Sequence, residues 1–385
     1  MNDRQRALAV LNYQPYDRLP IVHFGFWDDT LLKWAREGHI TEEEARSWAD
    51  GNPTDAVISR KLGFDFNYYS VFHTHNDIIP FFERQVLEVA PDGARKVRNH
   101  RGVVLVEKDD ATSIPAEIDH TLKDRQSWDT IFRPRLQFMI ERVTKMPVRV
   151  NDRMVPFDEG GLEFLRQDTR DYLYGLHCGS LYGIIRDWMG MENTIYLAAD
   201  DPALFDEIIA TVGELCYQNT KAALESGAKF DFAHFWEDIC FRSGPLINPR
   251  VFREKVGPQY RRITELVNRY GLNIVSVDCD GLIDDLIPIW IENGVNTMFP
   301  IEVGTWNASI APWRERYGRE LRGVGGMRKY TFALDYAAID AEIERLKPLV
   351  ELGGYIPCPD HRLAPDAKWE NVQYYCDRMR RTFGG

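Results

Sequence analysis

Residues 274–290 read IVSVDCDGLIDDLIPIW, and this stretch decides the fold. The apolar start IVSV predicts a buried strand, Gly281 predicts a turn, and the spacing of apolar residues that follows predicts a helix over 282–293. The polar residues Asp278, Cys279 and Asp280 stand where the strand ends. Aspartate at such a turn is often only the N-cap of the next helix, so a capping role and a chemical role are both open.

The same order of strand, polar end and helix recurs along the chain. Eight short apolar segments end in or near Gly, Asp or His, and most precede a helical pattern. They are LPIVHFGF (19–26), FDFNYYSVF (64–72), YLYGLHCGS (172–180), FDFAHFWED (230–238), NIVSVDCDG (273–281), VNTMFPIEV (295–303), LRGVGGM (321–327) and GYIPCPDH (354–361). Eight such units predict a (β/α)₈ TIM barrel.

The helices between these segments carry ordinary start and stop signals. One is predicted from Asp201, as N-cap with Pro202 at the first helical position, to just before Gly227. Others are predicted near 249–270, 282–293, 307–317, 334–348 and 368–382. Residues 83–110 depart from the alternation of strands and helices. Their apolar and polar residues alternate with a period of two around a Pro-Asp-Gly turn, which predicts a small antiparallel β insertion. We therefore expect residues 1–385 to form one barrel domain with this insertion.

Composition excludes several classes of function. The net charge of −12 and the lack of a basic cluster argue against nucleic acid as a partner. No apolar run approaches the roughly 18 residues that a membrane span needs. The first residues are charged where a signal peptide is apolar, and the six cysteines are dispersed, so we expect a cytoplasmic protein with reduced thiols.

Residues able to bind a metal or a substrate collect at the predicted strand ends, where TIM barrels carry their active sites. In chain order these are His177 and Cys178; His234, Trp236, Glu237 and Asp238; Asp278, Cys279 and Asp280; Glu302; and Cys358, Asp360 and His361. Ordinary structural roles are open for several of them. Glu237 could be a carboxylate at a helix start, His361 a loop histidine, His234 an interior histidine, and Cys358 a packing residue.

Five segments together resemble the uroporphyrinogen decarboxylase superfamily. They are LNYQPYDRLPIVHFGFWDDTL, GSLYGIIRDWMGMENTIYLAADDPALF, FWEDICFRSGPLINPRVF, VDCDGLIDDLIPIWIENGVNTMFPIEV and GGYIPCPDHRLAPDAKWENVQYY. The resemblance covers nearly the whole chain. It implies a TIM barrel whose active site is a deep cleft at the carboxyl ends of the strands.

The superfamily contains two chemistries. Its porphyrinogen decarboxylases have an Arg-Gln-Ala-Gly-Arg stretch after the first strand, whose arginines bind substrate carboxylates. Here FGFWDDTLLKW places Trp27, Asp28 and Asp29 in that region, so a tetracarboxylic substrate is disfavoured. Its zinc-dependent methyltransferases, which exchange methyl groups with corrinoid proteins, have a His-x-Cys-Gly and a later Cys as zinc ligands. Here the corresponding segments read DCDG and PCPDH.

The oxygen-rich set that replaces the sulfur ligands suits a substrate that binds through oxygen. We therefore predict a methyltransferase that demethylates a small, aromatic O-methyl compound and passes the methyl group to a separate corrinoid protein. The predicted catalytic residues and zinc ligands are Glu237, Asp278, Asp280 and His361, with Cys279 and Cys358 left open. The predicted substrate-binding residues are Trp27, His177, Phe235, Trp236 and Glu302. A decarboxylase or lyase acting on another carboxylated substrate, a non-catalytic ligand-binding barrel, and a homodimer are also left open.

Overall fold

The structure, a computed structural model, describes residues 1–108 and 115–384. Its strands are numbered in chain order. They are β1 (Val22–His23), β2 (Phe66–Asn67), β3 (Val71–His73), β4 (Gln85–Val89), β5 (Arg95–Arg98), β6 (Val103–Glu107), β7 (Ala116–His120), β8 (Pro147–Val150), β9 (Arg153–Pro156), β10 (Gly175–Gly179), β11 (Phe232–Trp236), β12 (Cys240–Phe241), β13 (Gly244–Pro245), β14 (Val275–Asp278), β15 (Thr297–Ile301), β16 (Arg322–Met327) and β17 (Tyr355–Pro359).

The α-helices include the outer layer of the barrel. They are α1 (Asp3–Leu11), α2 (Asp28–Arg36), α3 (Glu42–Ser47), α4 (Pro53–Leu62), α5 (Arg125–Ser127), α6 (Glu141–Thr144), α7 (Gly161–Gln167), α8 (Gly183–Met189), α9 (Met191–Asp200), α10 (Pro202–Glu225), α11 (Pro249–Val251), α12 (Gly257–Arg269), α13 (Ile287–Glu292), α14 (Val303–Trp306), α15 (Ile310–Tyr317), α16 (Tyr336–Glu351) and α17 (Trp369–Phe383). Short 3₁₀ and π segments extend some of them.

Parallel strands form the barrel wall. One sheet has the order β3-β10-β11-β14-β15-β16-β17, and β1 pairs in parallel with β2. The wall closes beyond β17, where the Trp27 amide donates to the Leu363 carbonyl and the Leu363 amide donates to the Gly25 carbonyl, both at 3.1 Å. All eight predicted strand segments are strands, and the predicted TIM barrel is confirmed. The second segment contributes both β2 and β3, separated by a turn.

The helix predictions are most accurate where the sequence contains a capping residue. The Asp201 side chain accepts the Leu204 amide hydrogen and begins α10, as expected. The prediction near 249–270 corresponds to α11, a π-helical turn and α12 in succession. The prediction over 282–293 is too long, because α13 begins only at Ile287, with Leu286 as its N-cap.

The predicted insertion is an antiparallel sheet with the order β4-β5-β6-β7. It extends past the predicted end at residue 110, because β7 reaches His120, and residues 109 and 110 lie outside the described residues. A hairpin of β8 and β9 follows it, which the sequence did not suggest. Among the described residues, no helix has the length and apolarity that crossing a bilayer requires.

Candidate active site

Two carboxylates follow β14 at the carboxyl end of the barrel. Asp278 is the last residue of the strand and pairs with Trp236 on one side and Phe299 on the other. Gly281 then turns the chain with a φ of +85°, and a side chain there would collide with the Cys240 carbonyl oxygen. Because α13 starts six residues after Gly281, neither Asp278 nor Asp280 caps a helix. The capping interpretation is therefore wrong for both.

Asp280 and His361 meet at the mouth of the barrel. The Asp280 Oδ2 and His361 Nε2 atoms lie 3.3 Å apart, although the residues end different strand segments. The remaining atoms of this pair, Asp280 Oδ1 and His361 Nδ1, are buried and have no hydrogen-bond partner. The Trp27 ring stacks on the imidazole at 5.5 Å between ring centroids, and Phe24 packs against it edge-on. The structure thus joins two of the four predicted catalytic residues, with the predicted aromatic residue Trp27 beside them.

Further carboxylates surround this pair. Glu302 accepts the Gly281 amide hydrogen at 2.6 Å and the Thr305 hydroxyl hydrogen at 3.0 Å. Its pKa is raised by burial and by the negative charge of Asp280. Asp360 accepts hydrogen bonds from the backbone amides of Gly304 and Lys329. Both carboxylates therefore fix the loops that carry the site, and the predicted contact of Glu302 with substrate remains a prediction.

Asp278 is the most strongly perturbed carboxyl group of the site. It is buried, and its pKa is raised well above the usual value by desolvation and then by the charges of Asp280 and Asp238. Arg362 opposes this shift, but it makes a two-pronged ion pair with Asp50, at 2.6 and 3.2 Å. Burial beside other carboxylates therefore favours the protonated form of Asp278, which is the form that can act as a general acid.

Glu237 does not lie in this cluster as a free ligand. Its side chain is fully buried, and its two carboxylate oxygens accept hydrogen bonds from the Leu181, Tyr182 and Gly183 amides at 2.7–3.0 Å, from Ser180, and from the Tyr260 hydroxyl. These amides form the start of α8, where a carboxylate also interacts favourably with the helix dipole.

This geometry does not fit the predicted role of Glu237 as a zinc ligand. The helix-start interpretation is correct, although the helix is α8 and not one that follows Glu237 in sequence. Gly183 permits the contact, because a Cβ atom there would lie 1.9 Å from the Glu237 carbonyl oxygen. Throughout residues 1–108 and 115–384, no three His, Cys, Asp or Glu side chains are arranged to hold a metal ion.

The two cysteines left open, Cys279 and Cys358, are buried. The Cys279 sulfur accepts the Ile239 amide hydrogen at 3.4 Å, and burial raises the pKa of its thiol well above the usual value. Cys358 is fully buried, and burial raises its thiol pKa as well. Among the described residues, neither thiol belongs to a group of three side chains that could hold a metal ion. Phe235 is also misassigned as a substrate contact, because it is buried and packs edge-on against Tyr260 of α12.

A cavity of about 420 Å³ opens at the carboxyl ends of β3, β10 and β11. The predicted substrate residues His177 and Trp236 line it, together with Tyr69 and His73. His73, His177 and His234 are paired neighbours on these three strands, with ring centroids 4.7 and 6.2 Å apart. Tyr69 connects the cavity with the carboxylate cluster, since the charge of Asp278 contributes to the raised pKa of its hydroxyl.

A larger cleft, of about 840 Å³, lies at the opposite end of the barrel. It is lined by residues that precede the last two strands, among them Arg319 and Gly353, and by Tyr13. TIM barrels place catalysis at the carboxyl ends of the strands, so the smaller cavity beside Asp278 is the candidate active site.

Sequence reasoning missed Asp50, Tyr69, His73, Lys329 and Arg362. Arg362 follows His361 directly, and this adjacency was a usable signal. Asp50 lies in a loop between two helices, and nothing local marks it as the partner of Arg362. His73 lies one residue beyond the second predicted strand segment and is the last residue of β3, so its position at a strand end was a usable signal.

The sequence profile of the uroporphyrinogen decarboxylase (URO-D) family matches residues 183–382, just over half of the 385 residues. The chain belongs to this family. This membership confirms the resemblance inferred from the sequence, and the matched region includes Glu237, Asp278, Asp280 and His361. No curated protein sequence matches the chain significantly.

Solved structures similar to this URO-D family chain include a methyltransferase from Methanosarcina mazei. The two share 14% sequence identity over 99% of each chain, with a TM-score of 0.58. At this identity the similarity supports the fold alone. A second structure, described as a putative vitamin-B12 independent methionine synthase from Listeria monocytogenes, is 13% identical over 96% of this chain and 99% of its own, with a TM-score of 0.43.

Proposed function

We propose that this URO-D family protein is a methyltransferase that demethylates a small aromatic methyl ether and passes the methyl group to a separate corrinoid protein. The observation that carries the proposal is the buried Asp278, which lies two residues before Asp280 of the Asp280–His361 pair and pairs across the sheet with Trp236 of the partly apolar cavity. Burial and the neighbouring carboxylates raise its pKa. The fold it shares with a methyltransferase supports the assignment to this branch of the superfamily.

The chain's own residues can provide a proton for the leaving group. When the O–CH₃ bond of an aryl ether breaks towards a nucleophilic acceptor, the bonding electron pair stays on the phenolic oxygen. The carboxyl group of Asp278 can transfer its proton to that oxygen, so that a neutral phenol leaves. Trp236 and Tyr69 line the cavity and would position the ring. The corrinoid of the partner supplies the acceptor for the methyl group.

Zinc, or a similar divalent ion, remains part of the proposal, but with two of the four predicted protein ligands. The predicted four-ligand set does not fit, because the oxygens of Glu237 are occupied by five donors. Asp280 and His361 do fit a cation, since they provide an oxygen and a nitrogen 3.3 Å apart and further atoms without partners. We derive no reaction step through the ion.

The test is methyl transfer from 2-methoxyphenol to an added corrinoid protein, followed by the absorbance change of the corrinoid and by release of the phenol. We expect transfer that depends on both proteins and is lost in Asp278→Asn. Substitution of Asp29, an exposed residue beside Trp27, by Lys should weaken transfer through docking and leave metal content unchanged. Absence of transfer from every methyl ether offered, with several corrinoid proteins, would refute the proposal.

A decarboxylase is the second candidate, because the same protonated Asp278 could deliver a proton to a carbanion after loss of CO₂. Release of CO₂ from a carboxylated aromatic compound, without any requirement for a corrinoid protein, would favour it over methyl transfer.

A further inference from the structure

The cavity beside Asp278 has little capacity to neutralise an anion. Among the described residues that line it, Arg101 is the one arginine or lysine. Its guanidinium is already bound to two carboxylates, with Nε 2.7 Å from Asp77 and Nη1 2.8 Å from Asp187. The neighbouring Arg186 is likewise paired with Asp187 and Asp238. Arg101 and Arg186 thus face three carboxylates, those of Asp77, Asp187 and Asp238. Arg142 also contacts His75, but it is buried, donates to carbonyl groups and does not line the cavity.

The surroundings of the buried histidines disfavour a positive charge. Burial lowers the pKa of His177 and of the adjacent His234, the latter to about 3, and the neighbouring His73 lowers both further. His75 also lines the cavity, and burial together with Arg142 lowers its pKa. These shifts favour neutral imidazole rings, which offer a ligand hydrogen bonds and no positive charge.

The same histidines have unused hydrogen-bonding capacity. His177 Nδ1 has no partner, and neither ring nitrogen of the fully buried His234 has one. Neutral imidazole nitrogens can donate to or accept from a hydroxyl, ether or carbonyl group. The apolar part of the wall consists of Trp236, Met146, Ile184 and Phe81, as is typical of a site for a flat ring. Thr74, Asn76, Asp77 and Ser180 add polar groups.

We infer that this cavity selects uncharged aromatic rings carrying a hydroxyl or carbonyl group, held by His73 and His177, and excludes their carboxylated analogues. The methyl ether on that ring rests on the proposed function, whereas the discrimination against negative charge rests on the cavity alone. Among the described residues that line the cavity, a bound carboxylate would find no cation free of a carboxylate partner, which is unfavourable.

The test is calorimetric titration of the isolated protein at pH 7.5 with 2-methoxyphenol and with 4-hydroxy-3-methoxybenzoate, which differ by one carboxylate. We expect the neutral ligand to bind at least tenfold more tightly. Equal affinity, tighter binding of the carboxylated ligand, or no binding of either would overturn the inference.

Three variants distinguish the effects of charge and of hydrogen bonding on affinity from a nonspecific effect of substitution on the fold. Asp187→Asn releases one carboxylate from Arg101 and should reduce the preference at least threefold. Asp206→Asn removes a carboxylate of the exposed Lys255 ion pair and should leave the preference unchanged. His177→Phe keeps a ring in place. It should weaken the binding of 2-methoxyphenol tenfold and hardly change the binding of methoxybenzene, which lacks the hydroxyl. Equal weakening of both ligands would contradict the hydrogen-bonding role.

The outcomes also distinguish this inference from the proposed function. Binding of the neutral ligand without any methyl transfer would refute the proposed function and leave the inference standing. Methyl transfer that occurs only from the carboxylated ether would refute the inference about charge and leave the proposed function standing.

Discussion

Substitution of Glu237 by Gln tests whether this residue stabilises the fold or binds a metal. In the structure the carboxylate holds the loop before α8 through three backbone amides and two hydroxyls, and it lies in the fully buried interior. Glutamine has nearly the same shape but keeps only one acceptor oxygen. It therefore leaves at least one of the amide donors without an acceptor.

The expected cost follows from these bonds. If the glutamine oxygen takes the place of Oε2, it still accepts from Tyr182 and Gly183, and the Leu181 amide then faces the NH₂ group. An unsatisfied buried donor costs roughly 1–3 kcal/mol, and the retained bonds weaken because they lose their charge. Relief from burying a charge offsets part of this loss. We expect the free energy of unfolding to fall by about 2–4 kcal/mol.

The assay compares wild type, Glu237→Gln and a control, Glu163→Gln, which changes an exposed glutamate of α7. Urea unfolding followed by tryptophan fluorescence gives stability, and elemental analysis after zinc loading gives metal per folded molecule. We expect Glu237→Gln to be destabilised with unchanged metal content, and the control to match wild type. A variant as stable as wild type that has lost its metal would refute this reasoning and restore Glu237 as a ligand.

Three further outcomes are expected. Asp280→Ala and His361→Ala should each remove bound zinc, and the double variant should lose little more, because residues of one site act as a unit. Elemental analysis checks the metal content. The free energy of unfolding should change by less than about 1 kcal/mol, because Asp280 caps no helix. Asp278→Asn should lower kcat by roughly 10²–10⁴-fold, and wild-type activity should decline as pH rises through the raised pKa of Asp278, since only the protonated acid donates; pH–rate profiles that stay flat up to pH 9 would exclude it as the acid. Burial and the charge of Asp50 raise the pKa of Asp55 to about 7 from 3.8. The protonated carboxyl group therefore contributes fully to stability below pH 4, and this contribution is lost as pH rises through 7. Asp55→Asn should remove this pH dependence, which amounts to at most about 4 kcal/mol; urea midpoints measured between pH 4 and 8 check it.

Local pattern was sufficient for the strands of the barrel wall, although not for the β8–β9 hairpin. Each strand segment is a short apolar run with a polar end, and such runs are visible without knowledge of their neighbours. The Asp201–Pro202 signal fixed the start of α10 for the same reason, because capping involves residues three apart. The helix after Asp280 was predicted too long, since its apolar spacing continues through the turn that precedes Ile287.

The sequence by itself determined the barrel, its inserted sheet and the strand ends where the polar residues collect. Only the tertiary structure decided which of these residues meet. Glu237 is occupied by amides more than 50 residues earlier in the chain, and Arg362 is paired with Asp50, 312 residues away. The alignment of His73, His177 and His234 likewise depends on register between separate strands. Such contacts depend on how distant segments pack, so no local period or cap can encode them, whereas strands and helices follow from backbone and side-chain preferences within a few residues.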